Sequence, residues 1–152
     1  KHWIETSWPD LVTRLDAAGL RCVLFGGPGD REAAARIAAA SPTSLVNLVG
    51  DTRLPELPAW LARAGLVIGV DTGLTHIGIA VRTPTLALFG STCPYTQLGA
   101  DNEARLQVIY DALPCAPCRR HPTCDARYDC MRGITPSRVA AAALAMLGVA
   151  AR

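Results

Sequence analysis

Apolar residues along this chain alternate between short continuous runs of strand length and longer stretches in which they recur every three or four residues. The clearest instance lies at residues 66–90. Leu66, Val67, Ile68 and Val70 make an apolar, β-branched run that stops at Asp71-Thr72-Gly73, residue types that suit turns and helix N-caps. From there Leu74, Ile77, Gly78 and Val81 return at helical spacing, Pro84 closes the segment, and Thr85 to Phe89 is a second apolar run that reads as a buried strand. Strand, helix and strand with short links predict a βαβ unit, around which the rest of the chain is arranged.

The same reading extends in both directions. Ser7-Trp8-Pro9-Asp10 predicts a helix start, with Ser7 as the N-cap and Pro9 in the first turn; Leu11, Leu15 and Ala18 mark its buried face and Gly19 its end. No strand precedes that helix, although a doubly wound sheet calls for one, so further residues are expected upstream of Lys1. A strand is predicted at 22–25, then a glycine-rich turn, Gly26-Gly27-Pro28-Gly29-Asp30, feeding an alanine-rich helix at 31–40. That turn is not a GxGxxG fingerprint, and tight geometry explains it as well as ligand contact does. A short strand follows at 44–49, a loop at 50–53, and a helix in which Leu54, Leu57, Trp60, Leu61 and Ala64 share one face before Gly65. Beyond Gly90, Ser91-Thr92-Cys93-Pro94 is expected to turn at the carboxyl end of the 85–89 strand, with its hydroxyls on the same rim as Asp71 and Thr72. Leu106 to Tyr110 reads as a last strand and 136–148 as a last helix, capped by Thr135 with Pro136 at N1. Strands alternating with helices, without hairpin signals, predict a parallel, doubly wound α/β sheet.

Composition narrows this picture. A chain of 152 residues, 50% of them apolar, is long enough for one domain with a real core and too short for two independent ones. A net charge of +2 is too small to argue for nucleic acid. No apolar run reaches the roughly 18 residues needed to span a bilayer, and the opening Lys1-His2-Trp3 lacks the apolar core of a signal peptide, so a soluble, intracellular chain is expected.

Candidate chemistry gathers at the start of the 72–81 helix. Asp71, Thr72, Gly73, Thr75 and His76 crowd the end where a βαβ unit offers unpaired N–H groups and a positive dipole end to an anion. The same residues also suit an ordinary helix start and a surface histidine; the polarity of the turn between two very apolar strands favours a binding role. A second cluster is the segment Cys115-x2-Cys118-x5-Cys124-x5-Cys130, with His121 inside it. Four thiols suffice for a tetrahedral zinc site, but only the first pair has CxxC spacing, so metal, disulfides and a reduced structural loop all stay open. Arg119, Arg120, Arg127 and Arg132 make this loop basic, which suits a phosphorylated acceptor, an anionic membrane surface or plain solvation.

The string GVDTGLTHIGIAVRTPTLALFGSTCP resembles the hallmark segment of the family 9 glycosyltransferases, the ADP-heptose:lipopolysaccharide heptosyltransferases. The tail, with Cys115-Ala-Pro-Cys118, Asp129-Cys130-Met131 and Ile134-Thr135-Pro136, is similar to the carboxyl-terminal motif of the heptosyltransferase II branch. The resemblance implies a Rossmann-like sheet forming one half of a GT-B glycosyltransferase, with residues 1–152 as the carboxyl-terminal, nucleotide-sugar-binding domain. It implies transfer of heptose from ADP-heptose to the lipopolysaccharide inner core, in the cytoplasm at the inner face of the inner membrane. It also implies an inverting reaction with no metal or other cofactor, and a catalytic base and acceptor site in an amino-terminal half, so no catalytic residue falls in this chain. For the donor, it assigns Lys1 to a phosphate, Asp71 and His76 to the sugar hydroxyls and the phosphate, and Asp30 or Glu32 to the adenosine ribose. Physical reasoning adds the N–H groups of Thr72, Gly73 and Leu74, with the Thr72 hydroxyl, as groups that take up charge when ADP departs. Two rival readings are a stand-alone nucleotide-binding module and a GT-B enzyme using another nucleotide sugar.

Overall fold

The computed structural model describes residues 2–92, 105–119, 121, 123–125 and 127–149. Its elements run α1 (Ser7–Ala17), β1 (Val23–Leu24), α2 (Arg31–Ala39), β2 (Val46–Asn47), α3 (Leu57–Ala62), β3 (Val67–Val70), α4 (Gly73–Ala80), β4 (Thr85–Phe89), β5 (Leu106–Tyr110), α5 (Asp129–Arg132) and α6 (Pro136–Leu147). Short 3-10 turns at Pro28–Asp30 and Leu54–Glu56 lead into α2 and α3.

Among the described residues all strand pairing is parallel, as the sequence predicts, and it falls into two ladders, β1-β2 and β3-β4-β5. β4 is central and buried along its whole length, which is why it reads as an uninterrupted apolar run. The register sets Ile68 opposite Leu86 and Val70 opposite Leu88, with Ile109 next to Leu88 on the far side, so these residues share one face. That face meets α1 and α6, packed on each other, in a core that includes Leu11, Leu15, Val139, Ala143 and Ile134. Leu20, Cys22, Leu66 and Ile68 rest on the same core, so both ladders lean on one helical layer.

The opposite face of β3-β4 carries α4. Close approach is possible because β3 and α4 offer small residues: a Cβ on Gly69 would collide with the Thr75 hydroxyl, and one on Gly78 would lie 3.1 Å from both Val67 and Thr85. Thr83 ties this layer to α3 by donating its hydroxyl to Leu61 O at 2.7 Å. Helices thus cover both faces, as a doubly wound sheet requires.

Three local expectations change. Ser7 is not an N-cap: Thr6 holds that position in helical conformation without a side-chain bond, because the preceding turn already supplies Ser7 N–H to Ile4 O and Trp8 N–H to Glu5 O. Trp60 and Leu54 do not share the buried face with Leu57 and Leu61; both are exposed, and Trp60 instead lies against Phe25, ring centroids 5.9 Å apart. The four-residue helix α5 escapes the pattern because it is too short to display a period, and it starts after Tyr128 in left-handed conformation. Thr135 caps α6 as expected, accepting from Arg138 N–H at 3.3 Å, and Trp3 fastens the chain start to that corner by donating Nε1–H to Ile134 O at 2.8 Å.

Candidate functional site

β3 ends at Val70 and α4 begins at Gly73, so the two residues between them, Asp71 and Thr72, form a very tight turn at the carboxyl edge of the sheet. Thr72 is extended and is the N-cap residue, yet its side chain makes no capping bond. The first α4 bond recorded from this turn is His76 N–H to Thr72 O, so the N–H groups of Gly73 and Leu74 precede the intrahelical ladder. A Cβ at Gly73 would meet no protein atom within 4 Å, so this helix start faces open space.

The other polar residues of the turn divide into two kinds. Thr75 is fully buried and donates its hydroxyl to Val70 O at 2.6 Å, tying the first turn of α4 to the end of β3. It belongs to the scaffold, although the sequence groups it with the rim. Asp71 and His76 do face each other: His76 Nε2 lies 3.1 Å from Asp71 Oδ1, with the carboxylate side chain 19% exposed and the imidazole 49%. The pair sets a partly shielded acceptor beside a ring nitrogen that is an acceptor or a donor according to tautomer.

At the end of β4, in register with β3, Ser91 and Thr92 carry buried hydroxyl oxygens without a hydrogen-bond partner among the described residues. Cys93 and Pro94 lie outside the described residues, as does Lys1.

On the β1-β2 ladder the glycine-rich turn closes through Asp30, whose Oδ2 accepts from Gly27 N–H at 2.9 Å. Arg31 clamps the neighbouring turn, donating from Nη2 to Gly50 O at 2.6 Å and to Asp51 Oδ1 at 2.9 Å. Glu32 points elsewhere: it accepts from Arg36 at 2.8 Å, and Arg36 also forks onto both oxygens of Glu5. The hydrogen bond from Arg36 holds the Glu5 carboxyl below its usual range. The two carboxylates that the sequence leaves as alternatives are therefore in different settings, Asp30 at the carboxyl end of β1 and Glu32 on the outer side of α2. The Arg31–Asp51 clamp is invisible in the sequence, since its partners are 20 residues apart with no motif between them.

Cys115, Cys118, Cys124 and Cys130 are all free thiols, and all four line one cavity of about 210 Å³ beneath Gly90 and Ser91. Among the described residues no group of three or more His, Cys, Asp or Glu is already drawn together to hold a metal ion.

Parallel strands that deliver polar turns and an open helix start to one carboxyl edge define the Rossmann-like α/β class. The chain belongs to glycosyltransferase family 9 (heptosyltransferase), whose family model matches residues 1–128. It is 35% identical to lipopolysaccharide heptosyltransferase 1 of Pseudomonas aeruginosa, an alignment covering 97% of this chain and 44% of that protein. Escherichia coli ADP-heptose lipopolysaccharide heptosyltransferase II superposes with a TM-score of 0.77 at 27% identity, covering 95% of this chain and 41% of that one. Escherichia coli heptosyltransferase WaaC with ADP-2-deoxy-2-fluoro heptose superposes at 0.67 and 27% identity, covering 91% and 37%. The chain thus spans less than half the length of the relatives it matches.

Proposed function

We propose that residues 1–152 are the carboxyl-terminal, donor-binding domain of a GT-B glycosyltransferase that moves heptose from ADP-heptose to the lipopolysaccharide inner core. The observation that carries this reading is the uncapped start of α4 beside the Asp71–His76 pair, in a family with a solved member named for its ADP-heptose analogue. The tail motif around Cys130 supports the heptosyltransferase II branch.

In this proposal the diphosphate lies against the Gly73 and Leu74 N–H groups and the Thr72 hydroxyl, with Lys1 as a further cation. These fixed donors take up the negative charge that builds as the bond from the anomeric carbon to the diphosphate oxygen breaks, without reorganising at that moment. Asp71 and His76 receive the heptose hydroxyls and orient the ring. A carboxylate at Asp30 or Glu32 accepts from the ribose hydroxyls. The catalytic base and the acceptor site lie in an amino-terminal half, so this domain supplies donor affinity and leaving-group stabilisation. The setting of the reaction is the cytoplasmic face of the inner membrane, with peripheral association through the basic Arg119, Arg120, Arg127 and Arg132; no helix of the described residues is long and apolar enough to cross a membrane.

Calorimetric titration with ADP, UDP, GDP and ADP-heptose tests the reading. Binding of ADP and ADP-heptose well above UDP and GDP is expected, whereas preference for another nucleotide would redirect it to a different sugar donor. Parallel titration of Asp30→Ala and Glu32→Ala distinguishes the ribose partner, since Glu32 can be removed without touching the glycine-rich turn.

A further inference from the structure

The four cysteines of the tail are the largest concentration of metal-binding chemistry on the chain that donor binding does not use. They come from three separate places, Cys115 and Cys118 from one end of a loop, Cys124 from its middle and Cys130 from α5, yet all four open onto the single 210 Å³ cavity. At the cavity's edge Gly90 packs directly against α5: a Cβ there would sit 2.5 Å from Met131 Sδ, 2.9 Å from Cys130 Sγ and 3.1 Å from Met131 Cγ, so the end of β4 lies close enough to touch the Cys130 sulfur. The loop is folded tightly around this space. Arg119 and Asp125, the residues directly after Cys118 and Cys124, both take left-handed conformations, with φ of 50° and 49°. Non-glycine residues adopt that region seldom and keep it only where their surroundings hold them there.

We propose that Cys115, Cys118, Cys124 and Cys130 bind one thiophilic divalent cation, Zn²⁺, which staples the 115–130 loop beneath the carboxyl end of β4. The donor set is complete in number and in type for a closed, tetrahedral structural site. Among the described residues the thiols stand around the cavity without yet converging on one point, so binding draws the loop inward until each sulfur is about 2.3 Å from the ion. Coordination replaces four S–H protons with one Zn²⁺ and leaves a site of net charge −2. Arg119, Arg127 and Arg132 in the same segment offset that charge. The ion closes a loop next to Ser91, at the edge where the donor is proposed to bind, and its role is to hold that edge in shape.

The test uses the reduced full chain under anaerobic conditions. Zn²⁺ titrated against a competing chromophoric chelator should bind one ion per chain, release close to four protons in weakly buffered solution near pH 7, and raise the melting temperature. Co²⁺ in its place should show thiolate-to-metal charge transfer and the absorption of a tetrahedral ion. Cys118→Ser, at a half-buried position that tolerates the change, should weaken Zn²⁺ binding at least about a hundredfold. Cys22→Ser, remote from the cavity, and His121→Ala should leave it unchanged. Release of one proton or fewer, a cobalt spectrum without thiolate bands, or equal affinity in Cys118→Ser and the parent chain would overturn the proposal. So would a freshly isolated chain lighter by two hydrogens for each pair of these cysteines, because the thiols would then be bonded to one another.

Discussion

Thr72 and Thr75 stand three residues apart in one turn and do opposite things. Thr75 is buried and bonded to the strand end; Thr72 leaves its side chain uncommitted at the helix start. Between them Gly73 faces open space, and that arrangement sets the first prediction. A side chain at 73 would occupy the volume into which a phosphate must come to meet the Gly73 and Leu74 N–H groups. Gly73→Val should therefore cost ADP affinity about 2 kcal/mol, the scale of one or two charge-assisted hydrogen bonds. Stability should change by less than about 1 kcal/mol, since the new side chain meets no protein atom and propensity differences at a helix end are small. Calorimetric titration beside thermal unfolding decides this; affinity retained with a collapsed melting temperature would make the position a packing site. Asp71 yields a second prediction at the same scale. Its carboxylate faces His76 and has no electrostatic reason to attract a diphosphate, so Asp71→Ala should weaken ADP-heptose binding more than ADP binding. Equal losses for the two ligands would reduce Asp71 to a residue that shapes the turn.

At the scale of elements, the site depends on how closely α4 lies on β3. Gly69 permits this contact, since a methyl group there would drive the Thr75 hydroxyl out of the position from which it reaches Val70 O. Gly69→Ala should destabilise the fold by about 3 kcal/mol, combining overpacking with the loss of a buried hydrogen bond. In a urea-denaturation double-mutant cycle with Thr75→Ala, the two losses should fall well short of adding, because removing the hydroxyl makes room for the methyl. Strict additivity would show that the helix and strand tolerate the methyl without meeting.

At the scale of the whole molecule, β4 and its neighbours form a sheet covered on both faces, whereas β1 and β2 are two-residue strands whose side chains at Val23 and Val46 remain nearly half exposed. The core that joins them is formed by α1 and α6, brought together from opposite ends of the chain. The chain spans 44% of the Pseudomonas aeruginosa relative. The purified chain is therefore expected to bind ADP and to transfer no heptose, since the proposed base and acceptor site belong to the other half. Detecting heptosyl transfer by this chain in a donor-depletion assay with a lipopolysaccharide core acceptor would refute that division of labour.

What the sequence by itself determined is whatever depends on neighbours along the chain. The period-3.6 and continuous apolar runs placed β4, β5 and α6 nearly to the residue, the Thr135-Pro136 cap included, because propensity and patterning act over a few residues. The motif at 71–76 marked the rim for the same reason. Tertiary structure alone decided which distant polar groups meet: Arg31 with Asp51, Arg36 with Glu5, and Thr83 with the Leu61 carbonyl. It also decided that Trp60 faces Phe25 and that four cysteines from a patternless loop share one cavity. These outcomes depend on where distant segments meet. Long-range ion pairs, ring contacts and thiols gathered round one cavity leave no periodic trace in the chain that forms them.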